Sequence, residues 1–386
     1  MAYTETTSTS YGQRLAGSAK GMIGGLLMFI IGTCLLWWNE GRTVRTAKAI
    51  GDAASHVESV ADVSKIDASL NGKLIHASAF ADTKDTLTDD MFGVRELAIR
   101  LDRKVEYYQW VENAQTKERE KIGGGKETTT TYTYEKKWVD KPVNSAEFKD
   151  PQYQSANKVL SEVEERNEMA QHVTFGAYTL PESFVASISG SEPVEVRMTE
   201  EQRFMWNERL HMLRPKVNTE TSLVHTSANT VYLGLSPNSP QVGDVRVTFT
   251  KVPPADISLI AQVDGSTFKA YRAKNGQSFS RVQMGTVSAD EMIEQARSEN
   301  NMLTWVLRLV GVLLIVIGLK GMFGLLPMLF KVLPFLGSIV DAGVGLVSWI
   351  LGLAWSFIII AIAWLVFRPI IGISLLVLAI AGIVFL

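Results

Sequence analysis

Few side chains in this sequence have the types and spacing that catalysis or metal binding needs. The five histidines form no close pair at the spacing of metal ligands, and they are His56, His76, His172, His211 and His225. The single cysteine, Cys34, lies in an apolar segment, where a thiolate would be strongly disfavoured. No Gly-x-Ser-x-Gly nucleophile motif occurs. We therefore expect no catalytic residue, no metal site, no cofactor and no enzymatic activity.

Three consecutive glycines, Gly123, Gly124 and Gly125, are followed by Lys126 and look like part of a phosphate-binding loop. Such a loop needs a helix N-terminus behind its glycines, because the free backbone N–H groups bind the phosphate. Here a threonine-rich strand pattern follows instead. The glycines therefore indicate the flexible tip of a β-hairpin.

The polar and aromatic residues of greatest interest lie at the edges of apolar segments. Our membrane-interface or lipid-contact candidates are Trp37, Trp38, Glu40, Arg42, Arg308, Lys331 and Arg368. Glu40 and Arg42 could bind lipid headgroups or lock a helix to the soluble domain, and structural anchoring is favoured. Arg308 lies about one turn inside its segment, from which a long side chain can snorkel to the interface. Charges at this depth could alternatively line a transport pathway.

These residues are positioned by apolar segments at both ends of the chain. Only five residues from 302 to 386 are charged, whereas a water-soluble domain of that length needs many charged residues on its surface. The predicted membrane-spanning helices are residues 21–38, 302–319, 342–367 and 370–386. Residues 320–341, which contain Pro327 and Pro334, are predicted to form an amphipathic interfacial connector.

Four spans would place both termini on one side of the membrane and the large polar region on the other. Arg14 and Lys20 precede the first span, and Lys320 and Lys331 lie between the second and third. Because basic residues concentrate in cytoplasmic loops, residues 1–20 are expected to be a cytoplasmic tail. Residues 39–301 are then a domain in a lumen or a periplasm.

The region between the apolar ends has the alternating pattern of strands. Strands are predicted at residues 73–80, 94–101, 104–111, 129–139, 245–252, 257–263 and 267–272. Helices are predicted at residues 155–170 and 289–299, the second leading into a membrane span. Tyr108 and Trp110 share one face of their strand, and we expect that face to pack in the core. The predicted class is an α+β membrane protein with one N-terminal and three C-terminal spans flanking a large β-rich domain.

Several separated stretches resemble the transmembrane protein 43 family, also called LUMA. They include NEGR at 39–42, GKLIHA at 72–77, VEYYQWVE at 105–112, YTYEKKW at 132–138 and VGDVRVTF at 242–249, followed by residues 297–308 and the Arg368-Pro369 break. The resemblance covers nearly the whole chain. It implies four spans, a large lumen-side domain and a role in organising membrane protein complexes.

The resemblance also implies a location and partners. Animal members are associated with the endoplasmic reticulum and inner nuclear membrane, with self-association, and with emerin and lamins. This sequence departs from those proteins in its short N-terminal tail and in lacking their basic C-terminal tail. Emerin- or lamin-like partners are expected only in a eukaryotic host. A bacterial relative would lie in the inner membrane with a periplasmic domain.

Composition and motifs leave two functional hypotheses. The preferred one is a non-enzymatic multi-pass scaffold that contacts the lipid bilayer, associates with itself and recruits other membrane proteins. The alternative is a channel, transporter or lipid-handling protein that uses the C-terminal helices. The net charge of −2 and the absence of a basic stripe argue against a nucleic-acid partner.

Overall fold

The computed structural model describes residues 2–160, 163–374 and 377. The helices of these residues are α1 (Tyr11–His56), α2 (Glu182–Val185), α3 (Glu200–Leu213), α4 (Ala289–Phe323), α5 (Leu325–Phe330) and α6 (Pro334–Phe367). Their strands are β1 (Tyr3–Thr9), β2 (Glu58–Ser59), β3 (Leu74–Thr83), β4 (Thr86–Asp89), β5 (Val94–Leu97), β6 (Arg100–Glu120), β7 (Lys126–Val139), β8 (Arg166–Met169), β9 (Val173–Phe175), β10 (Tyr178–Leu180), β11 (Glu192–Pro193), β12 (Val224–Ser227), β13 (Thr230–Leu233), β14 (Val245–Val252), β15 (Ala255–Asp264), β16 (Thr267–Lys269), β17 (Tyr271–Arg272), β18 (Ser278–Phe279) and β19 (Arg281–Met284). Apart from β1, these strands all lie between α1 and α4 in the sequence.

Three stretches are long and apolar enough to cross a membrane, namely Tyr11–His56, Ala289–Phe330 and Phe335–Phe367. They contain the first three predicted spans. The predicted fourth span, 370–386, is described only at residues 370–374 and 377, which are helical, and the rest of it lies outside the described residues. The predicted combination of apolar helices with a large β-rich domain is thus confirmed for three helices.

Helix α1 is much longer than one membrane crossing requires. Its 46 residues rise about 69 Å, whereas the hydrocarbon core of a bilayer is about 30 Å thick. The helix begins at a capping box, in which Ser10 Oγ accepts from Gln13 N and Gln13 Oε1 accepts from Ser10 N. It then continues without a break past the apolar segment and into the β-rich domain.

Helices α1 and α4 run antiparallel and approach each other to backbone contact. A Cβ atom added at Gly25 would lie 2.6 Å from the carbonyl oxygen of Gly318. One added at Gly32 would lie 2.9 Å from the carbonyl oxygen of Gly311. Small residues at such a crossing allow the close van der Waals packing that holds helices together in lipid.

The first sheet has the strand order β1-β7-β6-β14-β13-β12, with β8 paired to β6 and β11 to β14. Strand β6 pairs with β14 only as far as Tyr107. Beyond that residue β6 pairs with β7, whose other edge carries β1 in register from Lys126 to Tyr132. We call residues 108–138 together with β1 the arm. Its β6 strand, from Tyr108 to Glu120, extends about 40 Å away from the sheet.

The second sheet closes on itself. Strand β15 pairs with both β16 and β3, so that β3, β9, β10, β16 and β15 form a ring, with β2 and β19 added at its edges. The ring encloses an apolar core that includes Phe175, Tyr178 and Phe268. A separate core packs the first sheet against α3, where Phe92 stacks on Trp206 with ring centroids 5.4 Å apart.

Two sequence-based expectations are wrong. Residues 155–170 form turns, irregular chain and β8 in their described part, not a helix. Asn157 explains the extended path, because its side chain accepts from Trp110 N at 2.8 Å and donates to Trp110 O at 3.0 Å, as a neighbouring strand would.

The second wrong expectation concerns which face of β6 packs in the core. Tyr108 and Trp110 are only half-buried, whereas Tyr107 lies in the core and donates its hydroxyl to the carbonyl of Val163.

The β-rich domain packs directly on the membrane helices. Ile50 and Ala53 of α1 join Met292, Ile293 and Ala296 of α4 in one apolar cluster with Leu74 of β3 and Ile260 of β15. Polar contacts fix the same junction, since Tyr271 Oη donates to Asp52 Oδ2 at 3.0 Å and Asn275 Nδ2 donates to the carbonyl of Arg45 at 2.7 Å. The ring and the two helices therefore form one packed unit.

The base of the arm contains a tyrosine whose ionisation can be tested. Burial, and then the hydrogen bond that Tyr134 donates to Glu112, raises the pKa of Tyr134 to about 12. Because the folded pKa lies above the ordinary value of about 10, its contribution to stability is complete below pH ~10 and is lost as the pH rises through ~12. A difference titration of tyrosinate absorbance between wild type and Tyr134→Phe should show one group ionising late. Ionisation near the ordinary value would contradict this environment.

Candidate functional site

The central feature of the membrane helices is a buried carboxylate. Glu40 of α1 is completely buried. Arg308 of α4 binds it with both ends of its guanidinium, donating from Nε to Oε1 at 2.6 Å and from Nη2 to Oε2 at 2.9 Å. Trp364 of α6 donates its indole N–H to the same Oε2 at 2.8 Å. One side chain thus ties together all three long apolar helices.

Aromatic rings surround the guanidinium of Arg308. Its Cζ lies 4.8 Å from the ring centroid of Trp305 and 5.7 Å from that of Trp364. Arg368, which follows α6, lies with its Cζ 5.9 Å from the Trp364 ring. These cation–π contacts are strongest where water is excluded, as it is around Glu40.

A second polar layer lies one turn closer to the domain. The hydroxyls of Thr43 and Thr304 are 2.7 Å apart, and Asn39 Nδ2 donates to the carbonyl of Thr304 at 3.0 Å. Asn300 Nδ2 donates in return to the carbonyl of Thr43 at 3.1 Å. Arg42 completes the layer by donating from Nη1 to Asn300 Oδ1 at 3.1 Å and from Nη2 to Thr304 Oγ1 at 3.2 Å. We call the two layers together the junction cluster.

The junction cluster changes the interpretation of Arg308. Snorkelling to the interface was the sequence-based expectation, but the structure turns this side chain inward, onto Glu40. The reason is that a buried carboxylate without a counter-charge costs more free energy than the guanidinium gains by staying hydrated at the interface. Arg42 likewise faces the helix–helix contact and joins Asn300 and Thr304. Both residues lock α1 to α4.

The two tryptophans at the end of the first apolar segment have different environments. Trp37 packs on Phe367 with ring centroids 5.5 Å apart, in an edge-on arrangement. Trp38 is 51% exposed. Both lie within one turn of Glu40, so the expected aromatic belt coincides with the depth of the junction cluster.

Sequence reasoning missed several members of the junction cluster. They are Asn39, Thr43, Asn300, Thr304, Trp305 and Trp364. A signal was present, because Asn300, Thr304 and Arg308 recur every four residues and so share one face of a helix. The same spacing joins Asn39 to Thr43. Polar residues in line on two adjoining apolar helices indicate a shared interface.

Lys331, the remaining candidate, lies far from the junction cluster. Its Nζ is 2.6 Å from Oε1 of Glu120, which ends β6 at the tip of the arm. Arg14 near the start of α1 contacts the same oxygen at 2.9 Å, and Gly123 N donates to the carbonyl of Val332 at 3.1 Å. The arm therefore reaches from the domain to the opposite end of the membrane helices.

The contact at the arm tip depends on one ionised carboxylate. Burial opposes the ionisation of Glu120, but hydrogen bonds and charges from Lys331 and Arg14 outweigh it and hold the pKa of Glu120 below its usual range. A lowered folded pKa means that the contact stabilises fully above the ordinary glutamate pKa and is lost as the pH falls through the lowered value.

Glu120→Gln should therefore loosen the arm tip. A partly exposed ion-pair network contributes up to about 1 kcal/mol, so we expect roughly fivefold faster tryptic cleavage at Lys121 and Lys126. The matched control is Glu118→Gln, which removes the same charge two residues away from a pair with Lys126. Equal cleavage of the two variants would show that the tip contact does not hold the arm.

Chemically, the junction cluster is a set of side chains that hydrogen-bond to one another, although Nε of Arg42 is buried without a partner among the described residues. Each oxygen of Glu40 accepts at least one hydrogen bond from a neighbouring helix. Within the described residues, no group of three or more His, Cys, Asp or Glu side chains could hold a metal ion. The arrangement can fix three helices relative to each other, and it offers no free general base or nucleophile.

Comparisons with known proteins give consistent results over most of the chain. A family model described as transmembrane protein 43 matches residues 107–369. The rat protein named transmembrane protein 43 is 27% identical over 367 residues, which are 92% of this chain and 87% of the rat protein. The human protein is 26% identical over the same length, and a Drosophila melanogaster homolog is 28% identical over 358 residues. No solved structure matches this chain.

Proposed function

Since the chain belongs to the transmembrane protein 43 family and is an integral membrane protein, we propose that it is a non-enzymatic scaffold that organises membrane protein complexes. Its apolar helices hold the β-rich domain at the bilayer surface, and that domain recruits other membrane proteins and further copies of the chain. A eukaryotic host would place this activity in the endoplasmic reticulum and inner nuclear membrane, with emerin- or lamin-like partners. A bacterial host would place it in the inner membrane.

The observation that carries this proposal is an apolar surface on α3 of the domain. Phe204, Met205 and Met212 are 64%, 49% and 74% exposed. Their positions fall within an arc of about 100° on the helix. Grouped large apolar side chains on a water-facing helix favour protein–protein contact, because covering them removes apolar surface from water. We call these three residues the α3 patch.

The packing of the β-rich domain on α1 and α4 supports the same proposal from the membrane side. A recruited partner is held at the membrane only if the domain is coupled to the helices. That coupling is provided by the continuous α1 helix and by the packing of Leu74 and Ile260 on α1 and α4. A flexible tether would give no fixed geometry, whereas this junction sets the distance and direction of the α3 patch.

Crosslinking in native membranes followed by mass spectrometry tests the scaffold proposal. We expect crosslinks from the domain to other membrane proteins and between copies of the chain. Replacing all three residues of the α3 patch by serine should remove most of the heterologous crosslinks. The control is Ile122→Ser, since Ile122 is 89% exposed at the arm tip. A strictly monomeric chain without partners would overturn the proposal.

One observation favours a second candidate function, a channel or transporter. The arm reaches from the domain to Arg14 and Lys331, a length comparable to the thickness of a membrane, yet beyond Trp110 one edge of β6 has no strand partner among the described residues. Open sheet edges are not tolerated in lipid, so the arm requires water or protein around it. An assembly of copies that encloses a water-filled space would meet that requirement.

Flux measurements in proteoliposomes test this second candidate. Wild type should pass ions above the level of protein-free vesicles, and Glu120→Gln and Arg308→Ala should alter the rate through the arm and the helices respectively. Background flux from all three proteins would count against a pathway. That result would leave the scaffold proposal unaffected, since crosslinking reports on partners independently.

A further inference from the structure

A cavity that is open to the surface lies where α1, the end of α6 and the helical residues after it meet, and Ile370 in its wall is 83% exposed. Its volume is about 780 Å³. The walls are mostly apolar and include Ala47 of α1, Phe367 of α6, and Ile370 and Ile371 beyond it. The polar lining includes two cations, Lys48 and Arg368. A cavity of this size can hold a lipid headgroup together with the first part of its acyl chains.

The charged side chains that line this cavity are all positive. Its lining contains Lys48 and Arg368 but no aspartate or glutamate. In the part of the chain that the structure describes, neither cation forms a salt bridge, and the guanidinium of Arg368 lies over the face of the Trp364 ring. Arg308, by contrast, is paired with the buried carboxylate of Glu40. Lys48 and Arg368 are therefore available to an anion.

The depth of the cavity matches the boundary between headgroups and hydrocarbon. Phe367 contacts Trp37, and its ring lies 2.9 Å from where a Cβ at Gly41 would be. Lys48 is seven residues beyond Gly41 on α1, which places it about 10 Å nearer the domain. After Arg368 the chain folds back on α6, since a Cβ added at Gly372 would lie 2.8 Å from the backbone N of Leu365, so Ile370 and Ile371 lie beside the apolar end of α6. Cations thus lie on the water side and apolar residues on the lipid side.

We propose that this cavity binds one anionic glycerophospholipid. The phosphate would lie between Lys48 and Arg368, and the upper acyl chains would follow Ile370 and Ile371. Such a lipid would fill the space between α1 and the end of α6 and neutralise two cations beside the junction cluster. The site is separate from the α3 patch and from the arm, so it does not depend on the scaffold proposal.

Native mass spectrometry of the full chain in neutral detergent tests the proposal. The probes are dioleoylphosphatidylglycerol and dioleoylphosphatidylcholine, which have the same acyl chains but differ in net charge. We expect the first adduct of the anionic lipid to bind more tightly. Each cation near a lipid surface contributes roughly a fivefold change in affinity, so Lys48→Gln/Arg368→Gln should weaken that adduct about thirtyfold. Binding of the neutral lipid should not change.

Two further variants keep the result interpretable. Lys65→Gln/Lys84→Gln removes the same charge from two exposed lysines on the domain, and it should bind as wild type does. Ala47→Trp narrows the cavity without removing charge, so it should also weaken the anionic lipid, even if the double glutamine variant fails to fold. Equal affinity for the two lipids, or wild-type affinity in the cavity variants, would overturn the site. Displacement of the lipid by inorganic phosphate alone would assign the site to a free anion and would overturn it too.

Discussion

Arg308→Leu is expected to lower the free energy of unfolding by about 3–5 kcal/mol, because it leaves a buried carboxylate without its counter-charge. Glu40 is completely buried, and Arg308 supplies a bidentate contact to it. Trp364 would remain as a single neutral donor, which cannot replace the lost charge. The measurement is thermal and denaturant unfolding of the full chain in detergent, followed by tryptophan fluorescence.

A double variant separates loss of a charge pair from loss of packing. Glu40→Leu/Arg308→Leu removes both charges, so it should recover most of the stability lost in Arg308→Leu. Arg297→Leu is the control on the same helix, since its partner Glu294 is exposed, and it should change stability by less than about 1 kcal/mol. A double variant no more stable than Arg308→Leu would show that the charge pair is not the cause.

Gly25→Leu is expected to separate α1 from α4. The new Cβ would lie 2.6 Å from both the carbonyl oxygen of Gly318 and the backbone N of Met322, and backbone atoms cannot move aside as a flexible side chain can. Overpacking of this kind costs about 1–3 kcal/mol, and we expect the upper end because several backbone atoms are affected at once. The measurement is the midpoint of unfolding together with the yield of folded protein in detergent.

The neighbouring residue provides a matched control. Gly24 has no atom within 4 Å of where its Cβ would be, and it is exposed on the lipid side of the same helix turn. Gly24→Leu should therefore keep or slightly raise stability, because leucine favours a helix over glycine by about 0.5–1 kcal/mol. If the two leucine variants behaved alike, the close approach of α1 and α4 would be refuted.

Together these variants test how the register of two apolar helices is set. Apolar side chains pack almost equally well after one helix slides along another, so they specify axial position weakly. A buried ion pair specifies it strongly, because a shift of one turn would leave Glu40 and Arg308 each without a partner. We infer that the junction cluster fixes register and that the glycines fix the distance between the helices.

Local sequence patterns predicted the elements of this protein well. The apolar spans at 21–38, 302–319 and 342–367 each lie inside a long helix, and the strand patterns at 73–80 and 245–252 correspond to β3 and β14. Such patterns indicate whether a segment lies in lipid, in a protein core or in water, and this preference is determined by the segment's own residues. The helix predicted at 155–170 is not formed, because Asn157 hydrogen-bonds to Trp110 of β6, a contact that the local sequence pattern does not contain.

The sequence by itself determined that three long apolar segments form helices, that a β-rich region lies between the first two of them, and that Glu40, Arg42, Arg308 and Arg368 stand at or near the ends of those segments. Only the tertiary structure decided what these residues contact. Glu40 and Arg308 are 268 positions apart, and Glu120 and Lys331 are 211 positions apart. The periodicity of a helix or strand and its preference for lipid or water depend on the residues within that segment. A pair that is more than 200 positions apart in the sequence forms only when the tertiary fold brings its two segments together. The partners of a charge are therefore properties of the fold, even where its depth can be predicted from its neighbours.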